Sequence, residues 1–121
     1  MTDTQVTNRY DGFRPLDTAE TLAQIGTMNV LAISGGRWQR LKNSQGETVG
    51  IRLPCGAGYR ADVLLAFDDT YVVRRVFARA GKEWVKGEMT NVYCDELNDT
   101  MWVASCYVNR SFGNDMREGD R

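Results

Sequence analysis

The alternation of apolar and polar positions is strongest between Tyr59 and Phe67. There Tyr59, Ala61, Val63, Leu65 and Phe67 share one face, and Arg60 and Asp62 point the other way. A period of two over nine residues is the pattern of a half-buried strand. Asp68-Asp69 reads as a turn, and Thr70 to Ala80 as the next strand, with Tyr71, Val73 and Phe77 on one face. Arg75 interrupts that alternation, so a bulge is expected near Arg74-Arg75. Ala80-Gly81-Lys82 turns the chain into a further strand, Glu83 to Met89.

Upstream, Met28 to Ser34 is short, apolar and branched, and reads as a buried strand. Gly35-Gly36 then predicts a hairpin returning through Arg37 to Lys42. Asn43 to Gly46 is a turn, Val49 to Leu53 a strand ended by Pro54, and Cys55 to Gly58 a loop.

Two segments carry helical signals. Asp17 and Glu20 stand as a capping box, followed by Leu22, Ile25 and a terminating Gly26, which predicts a helix over 18–25. Asn91 reads as the N-cap of a second helix over about 92–108. Tyr93, Leu97, Met101, Ala104 and Val108 form its apolar stripe, and Asp95 and Glu96 suit the positive end of its dipole. Residues 1–15 read as a flexible arm and 111–121 as a disordered tail. The expected fold is therefore one α+β domain over 16–110. A short N-terminal helix leads into an antiparallel meander of five or six strands, with a C-terminal helix on one sheet face.

Composition narrows the chemistry. The chain of 121 residues has no histidine, which removes Ser-His-Asp and Cys-His nucleophile pairs. Cys55, Cys94 and Cys106 have no CxxC spacing, so neither zinc nor a disulfide framework is expected. The carboxylate pairs Asp68-Asp69, Asp95-Glu96 and Asp115/Glu118 each suit a turn, a helix start or a tail. No catalytic residue, metal or cofactor is assigned, and the chain reads as a binding protein. No apolar run reaches the roughly 18 residues that cross a bilayer, and the N-terminus lacks a signal-peptide pattern. A cytoplasmic protein is expected.

The net charge of −1 conceals an asymmetry. Residues 37–86 hold ten Lys or Arg against five Asp or Glu, whereas both ends are acidic. A basic sheet can be a footprint for nucleic acid, or simply a solvated face that keeps sheet edges unpaired. Three glycine loops add aromatics to that charge: Gly35-Gly36-Arg37-Trp38, Gly56-Ala57-Gly58-Tyr59-Arg60 and Gly81-Lys82-Glu83-Trp84. Backbone amides, a cation and a stacking ring together suit a nucleotide. None is a P-loop or a dinucleotide fingerprint. Arg37, Trp38, Arg60, Arg74, Arg75 and Lys82 are the candidate ligand-binding residues. The alternative is a protein partner held by the acidic helical end through Asp95, Glu96, Asp99 and Trp102. Trp102, beside Met101, more readily suits a widened core face.

Several segments recur together in a known group. They are Thr21 to Gly26, Asn29 to Arg37, Asp69 to Phe77 and Val92 to Leu97. In this order and spacing the chain resembles a family of small proteins from phages of actinobacteria. The resemblance implies a phage origin and action inside the infected host cell, where a host-protein inhibitor would also act. It implies no activity and carries over no site residue.

Overall fold

The computed structural model describes residues 10–108 and 111–113. Helix α1 spans Thr18–Ile25. The Asp17 carboxylate accepts the Glu20 N–H at 3.0 Å, and Gly26, at φ 99°, closes the helix onto the Leu22 carbonyl. Helix α2, Thr27–Ser34, stands where a strand was expected. An apolar run of this length fits a buried helix as well as a strand, so its neighbours decide. Gly35, left-handed at φ 67°, donates to Leu31 O, and Gly36 donates to Val30 O. The glycine pair therefore stops a helix rather than turning a hairpin. Asn29 Nδ2, donating at 2.8 Å to the Asn98 carbonyl, ties α2 to the last helix.

Five antiparallel strands follow as a meander in the order β1 to β5: Gln39–Lys42, Thr48–Gly56, Tyr59–Leu65, Tyr71–Arg79 and Lys82–Val92. Strand β1 pairs with β2, not with the 28–34 segment. Strand β2 runs through Pro54 instead of ending before it. The β1 ladder stops at Gln39 opposite Arg52, so beyond that point β2 is an edge on that side and tolerates a missing donor. The β2–β3 and β4–β5 turns each place an alanine and a glycine at positive φ: Ala57 and Gly58, then Ala80 and Gly81. Two consecutive left-handed residues match the twist of a hairpin.

The register between β4 and β5 shifts beside Arg75, close to the expected bulge, but the extra residue belongs to β5. Arg75 therefore stays on the face of Tyr71 and Val73. The second helix also starts later than its cap signal suggests. Strand β5 pairs as far as Val92 with Tyr71, and Asn91 sits inside it at φ 57°, a conformation asparagine tolerates. A 3₁₀ turn, Cys94–Glu96, then leads into α3, Leu97–Ser105. Leu97, Met101 and Ala104 of the expected stripe are fully buried, while Tyr93 and Val108 lie outside the helix and are exposed.

Helices α1, α2 and α3 cover one sheet face, enclosing Ile25, Ile51, Val63, Val73, Leu97 and Met101. A smaller cluster on Tyr10, Leu41, Leu64 and Val72, with Phe13 against it, includes residues that were expected in a flexible arm. Asp11 fastens this segment to the β1–β2 turn, accepting the Ser44 N–H and hydroxyl at 2.7 Å. The Arg14 N–H donates to Leu65 O at 2.9 Å. Phe112, in the expected tail, is 2% exposed and packs into the main core. The rest of both terminal expectations, 1–9 and 114–121, falls outside the described residues.

Candidate functional site

The sheet face away from the helices carries a row of charges in cross-strand register: Arg52 on β2, Asp62 on β3, Arg74 on β4 and Glu88 on β5. Neighbours in that row alternate in sign. The Arg52 guanidinium makes a two-pronged bond to Asp62 at 2.9 and 2.8 Å. It also holds Glu83 of β5 at 2.7 and 3.1 Å. Three strand spacings would hold β2 and β5 roughly 14 Å apart in a flat sheet, so this contact reflects strong coiling. Arg74 donates to Glu88 at 2.7 Å and lies over the Phe13 ring. Burial works against the charge on Arg52, but the Asp62 and Glu83 carboxylates outweigh it and its pKa is raised. Burial raises the Asp62 carboxyl, and the Arg52 bonds oppose that shift.

The expected basic sheet is thus largely self-neutralised on this face, because pairing across strands consumes its guanidinium groups. Arg75 leaves the proposed ligand set for a different reason. It lies buried on the helix side and donates to the carbonyls of Ala104, Val103 and Cys106 at 2.8, 2.9 and 3.2 Å. It caps the carbonyls at the end of α3, of which Val103 O also accepts the Cys106 N–H.

Three of the six candidate residues do converge. Arg37, Trp38 and Arg60 line one cleft of about 500 Å³ with Gly36, Gln39 and Pro54. The α2–β1 loop supplies the first pair, and the run of β2 past its β1 partner leaves room beside Arg60. Among the described residues neither arginine has a carboxylate partner. Arg60 Nη1 donates to Gly58 O at 2.6 Å. Trp38 packs against the main core, and the Arg40 guanidinium sits 4.9 Å from its ring centre. Gly36 and Trp38 also wall a neighbouring apolar groove of about 410 Å³ between α1 and α2. Lys82 lies apart, exposed at the β4–β5 turn.

The alternative set is gathered by one element. Asp95 and Glu96 in the 3₁₀ turn and Asp99 and Trp102 on α3 are all exposed. Glu96 is partly engaged, accepting the Tyr93 N–H at 3.1 Å. Trp102, at 44% exposure, does not widen the core face, since Met101 and Ala104 already fill that side.

A third cleft of about 430 Å³ lies between α1 and the β3–β4 turn. Within it the Tyr71 hydroxyl donates to Gln24 Oε1 at 2.6 Å, and burial raises the Tyr71 pKa. Its Arg14 is paired with Asp69.

Among the described residues no group of His, Cys, Asp or Glu could hold a metal ion, and no helix is long and apolar enough to cross a membrane. The three cysteines are free and differ in setting. Burial pushes the Cys55 thiol up to about 12, with Asp62 adding to the shift, whereas Cys94 is exposed. Since the thiolate is the reactive form, a disulfide reagent at pH 8 should label Cys94 well before Cys55. Mass mapping checks this, and equal labelling rates would contradict the burial of Cys55.

Comparison of the chain with protein-family models, curated proteins and solved structures gives no match in any of the three.

Proposed function

We propose that the chain is a non-catalytic binding protein for a nucleotide or nucleic acid, with the Arg37–Trp38–Arg60 cleft as its anion-binding site. One observation carries the reading. The sheet spends Arg52, Arg74 and Arg75 on internal partners, yet among the described residues it leaves Arg37 and Arg60 without an ion pair around one concave site. Its volume falls within the range of small-ligand sites, roughly 300–1,000 Å³. Two forked donors beside a tryptophan suit a phosphate with an attached ring. The segment likeness to actinobacterial phage proteins supports a phage accessory role in the cytoplasm of an infected cell.

Calorimetric titration with nucleoside mono- and triphosphates at low salt tests the reading. Arg37→Ala and Arg60→Ala should each weaken binding at least about tenfold, the loss of one hydrogen bond to a charged group. Absence of binding to every nucleotide and polynucleotide tried would sink it.

The partner-binding alternative draws on the exposure of Trp102 one turn from Asp99. A large exposed aromatic beside acidic side chains suits a basic protein surface. Charge reversal at Asp95, Glu96 and Asp99 that abolishes capture of one defined host protein would favour it over the cleft.

A further inference from the structure

At the turn end of strands β3, β4 and β5, three aromatic residues lie in direct cross-strand register: Tyr59 opposite Phe77, and Phe77 opposite Trp84. The rings touch in sequence. Tyr107, beyond α3, stacks on Tyr59 with centroids 4.3 Å apart at 9°. Tyr59 meets Phe77 at 5.0 Å, and Phe77 meets Trp84 at 5.8 Å and 26°. Four rings thus form a row that runs over β3 and β4 and ends on β5, an edge strand of the sheet. Trp84 closes the row at 36% exposure.

The row depends on the backbone around it. A Cβ at Gly58 would lie 2.8 Å from Ala78 O and 3.0 Å from the Phe77 ring, so only glycine lets the β2–β3 turn approach so closely. Cations lie at its β4–β5 end. Lys86 lies 5.7 Å from the Phe77 ring centre, and Arg79 and Lys82 are exposed at the adjoining turn. From Val76 to Gly87 the only acidic residue is Glu83, and Arg52 takes it up from the other face.

A core needs no such arrangement at an edge strand beside a turn. A partly exposed ring pile with a basic border has the two parts that hold an unpaired strand: a surface on which bases stack, and charge for the phosphates. Duplex DNA offers no unstacked base to such a row. We infer that this edge binds single-stranded nucleic acid, with a base stacking on Trp84 and with Arg79 and Lys82 drawing in the backbone. The inference rests on the reading of the chain as a nucleic-acid binder and specifies its ligand class. The row and the cleft are separate sites, so they can be tested apart.

The probe is an oligothymidylate of roughly twelve nucleotides, a length within the site size of comparable surfaces. Binding should quench tryptophan fluorescence and weaken with salt. Trp84→Leu should lower affinity by roughly five- to a hundredfold, the range for one stacked base, and remove most of the quenching. Lys82→Glu, on an exposed side chain that the fold does not need, should weaken binding and flatten the salt dependence. The same sequence as a duplex should bind far more weakly. Equal affinity for duplex and single strand, or oligothymidylate binding unchanged by both substitutions, would overturn the inference. Nucleotide binding that Arg37→Ala abolishes, with no oligothymidylate binding at all, would overturn this inference and leave the cleft reading intact. Failure of both ligands would remove both.

Discussion

Replacing Arg52 with methionine should cost about 3–5 kcal/mol of folding stability, read as a lower urea midpoint with little change in slope. The size follows from what is left behind. Asp62 is 1% exposed and loses both of its guanidinium bonds, and Glu83 loses its two bonds to the same guanidinium. A carboxylate buried without a partner is far costlier than an intact pair is beneficial. The double variant Arg52→Met with Asp62→Leu should therefore recover much of the loss, because it removes the stranded charge together with its partner. A single substitution that costs less than about 1 kcal/mol would mean that the pair is solvated like a surface bridge.

The second large effect is expected at Arg75. Arg75→Leu keeps an apolar stem on the sheet but withdraws three hydrogen bonds from the end of α3. Bonds from a charged donor each contribute about 1.5–3 kcal/mol, and they share one side chain, so a total near 3 kcal/mol is expected. The loss should be local as well as global. Amide exchange should accelerate over α3, and the Tyr107 stack on Tyr59 should loosen with it. Arg75→Lys should restore only part of the stability, since one ammonium cannot reproduce a planar fork spread over three carbonyls. Unchanged α3 protection in the leucine variant would show that the helix end does not depend on this cap.

These two arginines also show where a sequence stops being readable. The pairing of Arg52 is not legible in the chain. The two-residue Ala57-Gly58 turn alone would set position 52 opposite 63, and only the extra residue of β2 between Pro54 and Gly56 brings Arg52 opposite Asp62 on the polar face. Arg75 breaks the alternation, and a charged residue on an apolar face looks like an error until something supplies acceptors. The acceptors are main-chain carbonyls from α3, and residue identity carries no trace of them. The cleft was partly legible. Arg37, Trp38 and Arg60 came from glycine loops marked by composition, but only the β2 extension past Pro54 brought two of those loops together. The ring row was hidden because its members are consecutive in register rather than in sequence.

Local pattern alone determined the capped helix at Thr18–Ile25, the alternating strand from Tyr59, the turns at Gly46, Gly58 and Gly81 and the meander order, since each depends on contacts between near neighbours. The tertiary structure decided whether Met28 to Ser34 would be helix or strand, where the last helix begins, and which cations lack an ion pair among the described residues. An apolar heptamer satisfies its backbone equally well either way, and it becomes a helix only because the sheet edge goes to β1 and α3 offers Asn29 a partner. A guanidinium likewise pairs with whichever acceptor folding brings near, so its role is a property of the packed molecule.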